Sequence, residues 1–255
     1  MRGRQVRPTR RAMTEEKKNG FHIPSIHITK DLLRRMRMPT AIVLLILLAD
    51  QILKIWIKTH MQIGESIPML GDWFKIYFVE NEGMAFGMAF GGEIGKIILT
   101  LFRIIASIGI TWAIFYLTQN NARKLTIVSV SLILAGALGN IIDSCFYGLI
   151  FNESYYQVAE FMPESGGYAP FFQGKVVDMF YFPIIDTILP EWLPLVGGKH
   201  FTFFDAIFNI ADCAITIGVV ILLIDQIVFE KKNKPIDNHD TTLEQQIYTP
   251  TDHEE

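Results

Sequence analysis

Four long apolar stretches divide the chain, and segments richer in polar residues separate them. A helix needs about 20 largely apolar residues to cross the hydrocarbon core of a bilayer. Each stretch reaches that length with few charged residues. The leader before the first stretch is too long and three more stretches follow, so a cleaved signal peptide is not expected. The pattern predicts four membrane-spanning helices, over residues of about 38–57, 97–117, 125–145 and 206–229.

Shorter patterns between the predicted spans indicate small folded elements. Residues 72–80 (DWFKIYFVE) alternate apolar and polar side chains, which is typical of a strand. The stretches 161–175 and 183–199 are rich in glycine, proline and aromatic residues, and we expect irregular structure there. We therefore expect some β structure outside the helices.

The distribution of charge orients the spans. Residues 1–38 carry a net charge of +8 and the turn 118–124 is basic, whereas residues 144–205 carry a net charge of −5. Basic residues favour the cytoplasmic side of a span. Both termini are therefore predicted to be cytoplasmic, with outer loops over 58–96 and 146–205. The predicted fold class is an all-α membrane protein, a four-transmembrane-helix bundle with a small extracytoplasmic β-rich cradle and loop insertions.

The same patterns predict the domain organisation. A basic cytoplasmic tail covers residues 1–37, a four-helix membrane domain covers 38–229, and a disordered acidic cytoplasmic tail covers 230–255. Half of all residues are apolar and 19% are charged, which excludes a wholly disordered or collagen-like chain. One hypothesis is that the arginines of the leader bind anionic membrane lipid.

Polar residues inside the spans gather near their predicted outer ends. Helix geometry puts Asp50 about 10 Å and Arg103 about 9 Å below the outer surface. Ionisable groups in spans are costly and mark function by default. A transport path would also place them at the midplane, so one shallow layer indicates a site instead. The layer contains Asp50 and Lys54 in the first span, Arg103 in the second, Asn140 and Asp143 in the third, and Asn209 and Asp212 in the fourth.

Structural explanations remain open for the first two spans. Lys54 and Lys58 could extend along apolar surface towards the interface. Asp50 and Arg103 could form an ion pair that locks the two spans together.

The later aspartates differ in how well a structural role explains them. Asp143 could be an interfacial helix end, and we favour Asp205 as the N-cap of the fourth span. Asp205, Asn209 and Asp212 would share one stripe of that helix. Asp212 lies within an apolar helix and is the hardest to explain structurally, whereas Asp225 is expected to be interfacial.

Several chemistries are excluded by the absence of their motifs. No HExxH or GxSxG string occurs, and the histidines lie in tails and loops. Cys145 and Cys213 cannot form a four-cysteine zinc site, and we expect no disulfide between them because Cys213 lies inside a span. No predicted span contains a histidine, which excludes a rhomboid-like serine protease, and the GxGD string of one class of intramembrane aspartyl protease is absent.

Five strings, in order along the chain, resemble the motifs of one family, the bacterial lipoprotein signal peptidases (signal peptidase II). Each is weak alone, but together they are highly specific and cover residues of about 50–229. Residues 50–54 (DQILK) are similar to the family's DQxxK, 81–87 (NEGMAFG) to NxGxAFG, 139–143 (GNIID) to GNxxD, 176–180 (VVDMF) to VVDF and 208–215 (FNIADCAI) to FNxADxxI.

The chain departs from the family pattern in two ways. Ser144 stands where an arginine usually follows GNxxD, so one salt bridge or substrate contact is expected to differ. The interval between Asp143 and Asp178 is also unusually long, which indicates an insertion over 145–175. A second, smaller insertion is expected between Phe180 and Phe204.

The resemblance implies an intramembrane aspartyl protease with Asp178 and Asp212 as its catalytic pair. Two close carboxylates cannot both ionise, so they share a proton. One can then take a proton from water while the other protonates the departing amide nitrogen. We expect Asp178 to lie on a loop whose motion completes the pair when substrate binds. The other residues expected to bind or support are Asp50, Lys54, Asn81, Gly83, Phe86, Arg103, Asn140, Asp143, Asn209 and Ala211.

The resemblance also implies the partners and the location. The expected substrates are prolipoproteins with a diacylglyceryl-modified cysteine, cut on the N-terminal side of that cysteine. Cyclic peptides of the globomycin type are the expected inhibitors, and no cofactor, metal or nucleic acid is expected. The protein is expected to be a monomer in the bacterial cytoplasmic (inner) membrane, with its site near the outer leaflet. The alternative is a non-catalytic transporter subunit or lipid-binding scaffold, in which the aspartates are structural and Asp178→Asn is tolerated.

Overall fold

The computed structural model describes residues 25–71, 73–82 and 92–233. Its helices are α1 (Lys30–Arg35), α2 (Arg37–His60), α3 (Gly92–Gln119), α4 (Lys124–Ile142), α5 (Gly148–Ile150) and α6 (Ile210–Asn233). Among the described residues, four helical stretches are long and apolar enough to cross a membrane: Lys30–His60, Ile94–Gln119, Lys124–Ile150 and Ile210–Val228. The expectation of four spans is confirmed.

The first helix begins earlier, and the fourth span later, than the sequence pattern predicts. The chain is helical from Lys30, inside the segment expected to be a tail. Thr29 caps this helix, because its side-chain oxygen accepts a hydrogen bond from the Leu32 amide at 3.1 Å. The fourth span begins at Ile210 and not at 206, because the residues before it form a strand. The two predicted tails beyond the described residues stay predictions.

The third span changes its winding close to the predicted site. Helix α4 ends at Ile142, and the chain continues as a π-helical turn over Asp143–Tyr147 before α5. The predicted end at 145 falls inside this turn. Such wide turns are frequent at functional sites.

A four-stranded antiparallel sheet lies beside the helices in the order β1-β2-β3-β6. Its strands are β1 (Ser66–Leu70), β2 (Phe74–Asn81), β3 (Val176–Tyr181) and β6 (Ile207–Phe208). Strand β2 confirms the alternation seen at 72–80. Strand β3 corrects the expectation that Asp178 lies on a loop. The segment after β3 is not wholly irregular, because β4 (Ile185–Ile188) and β5 (His200–Phe203) pair as a hairpin.

The core of the sheet packs against the end of α2 and the π-helical turn. Strand β3 alternates its side chains, so Val177 and Met179 enter this core while Asp178 projects to the opposite face. The completely or nearly completely buried members of the core are Ile57, Met61, Ile76, Phe78, Tyr147, Phe151, Ala159, Val177 and Met179. This packing presents Asp178 away from the apolar core, towards the polar residues of α4 and α6.

Glycines allow α4 to approach α6 and α2 closely. A Cβ atom at Gly136 would lie 2.1 Å from the backbone oxygen of Ala211. At Gly139 it would lie 2.7 Å from Oδ2 of Asp50. Contacts this short exclude a side chain. The two glycines therefore bring the polar residues of three helices into one layer.

The segment between the π-helical turn and β3 folds back over that turn. The amide of Ala169 donates to the Gly148 carbonyl and the amide of Gly174 to the Ser144 carbonyl, each at 2.9 Å. Residues 161–175 form no named strand or helix, as expected. Cys145 and Cys213 are free thiols, which also agrees with the sequence.

Candidate active site

Asp178 and Asp212 come from different elements and meet at Asn209. Asp178 lies in β3, and Asp212 lies in the first turn of α6. The side-chain amide of Asn209 donates to Oδ1 of Asp178 at 2.7 Å. The backbone amide of the same asparagine donates to Oδ2 of Asp212 at 3.4 Å. One residue therefore joins the two predicted catalytic carboxylates.

Two further asparagines complete the amide contacts of this pair. Asn81 donates from Nδ2 to Oδ2 of Asp178 at 3.2 Å. Asn140 donates from Nδ2 to Oδ1 of Asp212 at 2.9 Å. Neutral donors of this kind orient a carboxylate without removing its ability to bind a proton. All three predicted asparagines therefore contact the aspartates.

Lys54 lies at the centre of a buried ion cluster behind the pair. Its Nζ is 2.9 Å from Asp50 Oδ2 and 2.9 Å from Asp143 Oδ2. It also donates to Oδ1 of Asn140 at 3.0 Å. The Lys54 side chain is 0% exposed. The alternative that Lys54 extends to the interface is therefore wrong.

Asp50 and Asp143 each bind the amide of the residue that precedes a catalytic candidate. Oδ1 of Asp50 accepts from the Ala211 amide at 2.9 Å, directly before Asp212. Oδ2 of Asp143 accepts from the Val177 amide at 3.2 Å, directly before Asp178. Asp143 does follow the end of α4, as the helix-end explanation expected, but its side chain is 0% exposed and fully engaged in these contacts. The DQxxK and GNxxD strings therefore hold both catalytic candidates through the backbone.

Sequence reasoning did not assign a role to Gln51 within DQxxK. Its Nε2 donates to Oδ1 of Asp143 at 2.9 Å, and its Oε1 accepts from the hydroxyl of Tyr147 at 3.2 Å. The sequence did contain a hint of this role, because the family motif DQxxK specifies glutamine at this position.

Arg103 of α3 interacts electrostatically with the carboxylates of the site. Asp50 forms its ion pair with Lys54, while the charges of Asp212, Asp143 and Asp178 act on the Arg103 guanidinium. The pairing of Arg103 with Asp50 stays a prediction. The arginine adds positive charge to the layer that holds the two catalytic candidates.

Asn209, and not Asp205, is the N-cap of α6. Its Oδ1 accepts a hydrogen bond from the Asp212 amide at 2.9 Å. Asp205 is exposed and accepts from the hydroxyl of Tyr181 at 3.0 Å. The expected helical stripe of these residues is wrong, because α6 begins only at Ile210.

Asp225 is buried within the protein, at the end of the bundle where α4 begins and α6 ends, and its expected place at the membrane interface stays a prediction. The whole residue is 5% exposed. It accepts from the hydroxyl of Thr126 at 2.5 Å, and its carboxylate lies 2.8 Å from the Arg123 guanidinium. Asp225 therefore links α6 to α4, far along the helix from Asp212.

The environment of Asp178 favours its protonated form. Burial raises the pKa of Asp178 to about 7, and the nearby charge of Asp212 adds to the effect. The hydrogen bonds from Asn81 and Asn209 and the charge of Lys54 act in the opposite direction. A carboxyl group with a pKa near 7 can hold or release a proton at neutral pH, as acid–base catalysis requires.

Two of the predicted binding residues, Gly83 and Phe86, lie outside the described residues. Within the described parts of the chain, no group of three or more His, Cys, Asp and Glu side chains could hold a metal ion.

The fold and the site define a membrane enzyme in which four apolar helices and a small sheet bring together a buried and a half-buried aspartate. The family model described as signal peptidase (SPase) II matches residues 42–228, and the chain belongs to this family. It is therefore a protease, of the family that removes signal peptides from prolipoproteins. The family and the four spans indicate a bacterial inner-membrane protein.

Individual relatives agree with this assignment. The lipoprotein signal peptidase of Porphyromonas gingivalis is 48% identical over 185 residues, which are 72% of this chain and 80% of the relative. That of Amoebophilus asiaticus is 40% identical over 188 residues, 72% of this chain and 75% of the relative. A bacterial membrane enzyme solved by the in meso method at 2.3 Å aligns with a TM-score of 0.50 and 25% identity, over 78% of this chain and 93% of that one.

Proposed function

We propose that the chain is an aspartic endopeptidase that removes signal peptides from diacylglyceryl-modified prolipoproteins. The cut falls on the N-terminal side of the lipidated cysteine. The observation that carries the proposal is the pair of carboxylates, buried Asp178 and half-buried Asp212, joined through Asn209 in a chain of the signal peptidase II family.

The pair activates water by sharing one proton. The ionised member takes a proton from the water as it attacks the scissile carbonyl carbon. The protonated member gives its proton to the amide nitrogen as the peptide bond breaks. The two groups titrate as a unit, so neither aspartate is assigned a fixed role. The raised pKa of Asp178, about 7, supports a shared proton at neutral pH.

The asparagines orient the two carboxyl groups, and Arg103 provides positive charge beside them. Asn81, Asn140 and Asn209 hold the carboxylate oxygens by neutral hydrogen bonds. Arg103 supplies positive charge for a substrate carbonyl oxygen, which becomes negative during attack. Asp178 lies in a paired strand, so the function does not need the loop motion that the sequence suggested.

The membrane orientation belongs to the same proposal. Both termini are cytoplasmic, and the aspartates lie near the outer leaflet. The acyl chains of the substrate then stay in the bilayer while the scissile bond sits at the level of the headgroups. Cyclic peptides of the globomycin type compete for this position, and the protein acts as a monomer.

A gel-shift cleavage assay tests the proposal. Purified protein in lipid is mixed with a diacylglyceryl-modified prolipoprotein, and Asp178→Asn and Asp212→Asn are compared with wild type. Asp205→Asn is the matched control, because this aspartate is exposed and its hydrogen bond is to Tyr181, away from the pair. We expect cleavage by wild type and the control and none by the two dyad variants. Cleavage by either dyad variant would overturn the site, and a folded but inactive wild type would indicate the scaffold alternative.

A further inference from the structure

A second cluster of buried charge lies one helical turn beyond Lys54 on α2. Lys58 forms an ion pair with Glu80, and their side chains are 0% and 2% exposed. Lys175 lies 3.5 Å from Oε2 of the same glutamate and 3.3 Å from Oε2 of Glu153. Lys58, Glu80, Ser154, Tyr168 and Lys175 are called the Lys58 cluster below. None of these five residues belongs to the five strings that resemble the family.

Three members of the Lys58 cluster come from the 145–175 insertion. The hydroxyl of Ser154 accepts from Lys58 Nζ at 2.8 Å and donates to Glu80 Oε1 at 3.0 Å. The ring of Tyr168 faces both ammonium groups, at 5.0 Å from Lys58 Nζ and 5.1 Å from Lys175 Nζ. The hydroxyl of Tyr168 accepts from the Lys175 amide at 2.7 Å. The insertion therefore surrounds Glu80 with charged and polar partners.

The charges of the Lys58 cluster depend on one another. Buried ions are tolerated only when opposite charges and hydrogen bonds compensate for lost hydration. Burial would lower the pKa of Lys175, but the neighbouring Glu80 and Glu153 carboxylates raise it overall, so Lys175 stays charged. Burial also raises the pKa of Tyr168, which keeps the ring neutral between the two cations. Removal of one partner therefore leaves a buried charge poorly compensated.

The Lys58 cluster is connected to the active site through strand pairing. Glu80 pairs with Val177, and its neighbour Asn81 pairs with Val176. Successive residues of a strand face opposite sides, so Glu80 enters the cluster while Asn81 reaches the site. There the Asn81 amide donates to Asp178 at 3.2 Å. Glu80 and the asparagine whose amide contacts Asp178 are therefore neighbours in one strand, on its opposite faces.

The insertion also packs where the family's arginine is expected. Ser144 is 3% exposed, and its hydroxyl donates to the Asn140 carbonyl at 2.9 Å. The Gly174 amide donates to the Ser144 carbonyl at 2.9 Å. A Cβ at Gly174 would lie 2.1 Å from the backbone oxygen of Asp143. The insertion therefore fills the space beside Ser144.

We propose that the 145–175 insertion positions the active site through Glu80. Ser154 and Lys175, together with Lys58 of α2, fix Glu80, and this holds Asn81 against Asp178. Glu80 and Lys175 are positioning residues in this scheme, since they act through Asn81 on the reacting group. The inference rests on the proposed function, because Asp178 is taken as catalytic.

The test uses Lys175→Met in the full-length protein. Lys175 is 15% exposed, so this variant is milder than removal of the fully buried Lys58. We expect kcat to fall about ten- to hundredfold while KM changes little, because misplacing a positioned group by about 1 Å costs this much. Lys175→Arg should restore most of kcat, since it keeps the charge. Lys199→Met is the matched control, because this lysine is exposed and outside the insertion.

Two further measurements separate positioning from general damage. The hydrogen bond from Asn81 lowers the pKa of Asp178. Both Asn81→Ala and Lys175→Met should therefore move the alkaline limb of the cleavage profile to higher pH, and Lys175→Met should add little in the Asn81→Ala background. Hydrogen exchange should show faster exchange of the β2–β3 amides in Lys175→Met, and this readout does not depend on activity.

The outcomes distinguish the two proposals. If wild type cleaves and Lys175→Met matches Lys199→Met in kcat and exchange, the positioning role is wrong. Fully additive effects of Lys175→Met and Asn81→Ala would also contradict it. If wild type itself does not cleave, the proposed function fails, while faster β2–β3 exchange in Lys175→Met would still show that the insertion holds these strands.

Discussion

Lys54 and Lys58 lie one turn apart on α2 and are both fully buried, but they obtain their partners in different ways. Lys54 binds Asp50 of its own helix and Asp143 of the π-helical turn. Lys58 binds Glu80 of a strand and Ser154 of the insertion. Both cations satisfy the same requirement, that a buried charge be paired and hydrogen-bonded. The comparison shows that α2 holds the catalytic layer on one turn and the β2–β3 pair on the next.

The largest expected effect is a difference in unfolding free energy between Lys54→Met and Lys58→Met. Lys54→Met leaves two carboxylates, Asp50 and Asp143, buried without their cation, and should cost about 3–5 kcal/mol of unfolding free energy. Lys58→Met should cost less, because Lys175 still lies 3.5 Å from Glu80. Thermal unfolding in detergent with added lipid measures both. Equal losses, or a greater loss for Lys58→Met, would contradict the view that Lys175 helps Lys58 to neutralise the buried carboxylate of Glu80.

Alanine substitutions at Gly139, beside the Lys54 ion cluster, and at Gly174, in the insertion, compare the same two regions. Gly139→Ala brings a Cβ to 2.7 Å from the end of the Asp50 side chain, whereas Gly174→Ala brings one to 2.1 Å from a backbone oxygen. Overpacking costs about 1–3 kcal/mol, and a backbone atom yields less easily than a side chain. We expect the greater loss of stability for Gly174→Ala and the greater loss of cleavage for Gly139→Ala. Gly109→Ala is the control, because a Cβ added there would meet no other atom within 4 Å.

The pH dependence tests the Asp178 environment with a smaller effect. The pKa of Asp178 is raised to about 7, from about 3.9 in an unfolded chain. The folded state therefore binds more protons between these values, and stability should fall as pH rises through this window. Cleavage should fall as pH rises through about 7, where the shared proton is lost. Asn81→Ala removes a hydrogen bond to the Asp178 carboxylate, so the alkaline fall in cleavage should move to higher pH. A shift to lower pH would contradict the assignment.

The smallest expected effect concerns the start of α6. Asp205→Ala should change the unfolding free energy by no more than about 0.5 kcal/mol, because this exposed residue lies outside the helix. A true N-cap would cost about 1 kcal/mol. Urea unfolding of the detergent-solubilised protein distinguishes these two magnitudes. A loss of about 1 kcal/mol would indicate that Asp205 does act as an N-cap.

The spans and the predicted pair were accessible from the sequence for physical reasons. A bilayer demands about 20 apolar residues, so the spans are visible in composition alone. Asp178 and Asp212 were visible through strings that resemble a family. The exact start of α6 was not, because Asp205 and Asn209 are both good capping residues and strand β6 decides between them. The burial of Lys58 was not visible either, because its partner Ser154 is 96 residues away in the chain.

The sequence by itself determined the number of spans, the family and the identities of the polar residues in the site. These depend on local composition and on short strings, which do not require contacts between distant residues. The tertiary structure decided that Asn209 joins the two aspartates, that Asp50 and Asp143 bind the amides before them, and that the insertion reaches Glu80. Those facts depend on packing between helices and strands far apart in the chain, where the need to compensate each buried charge selects a partner that no local pattern identifies.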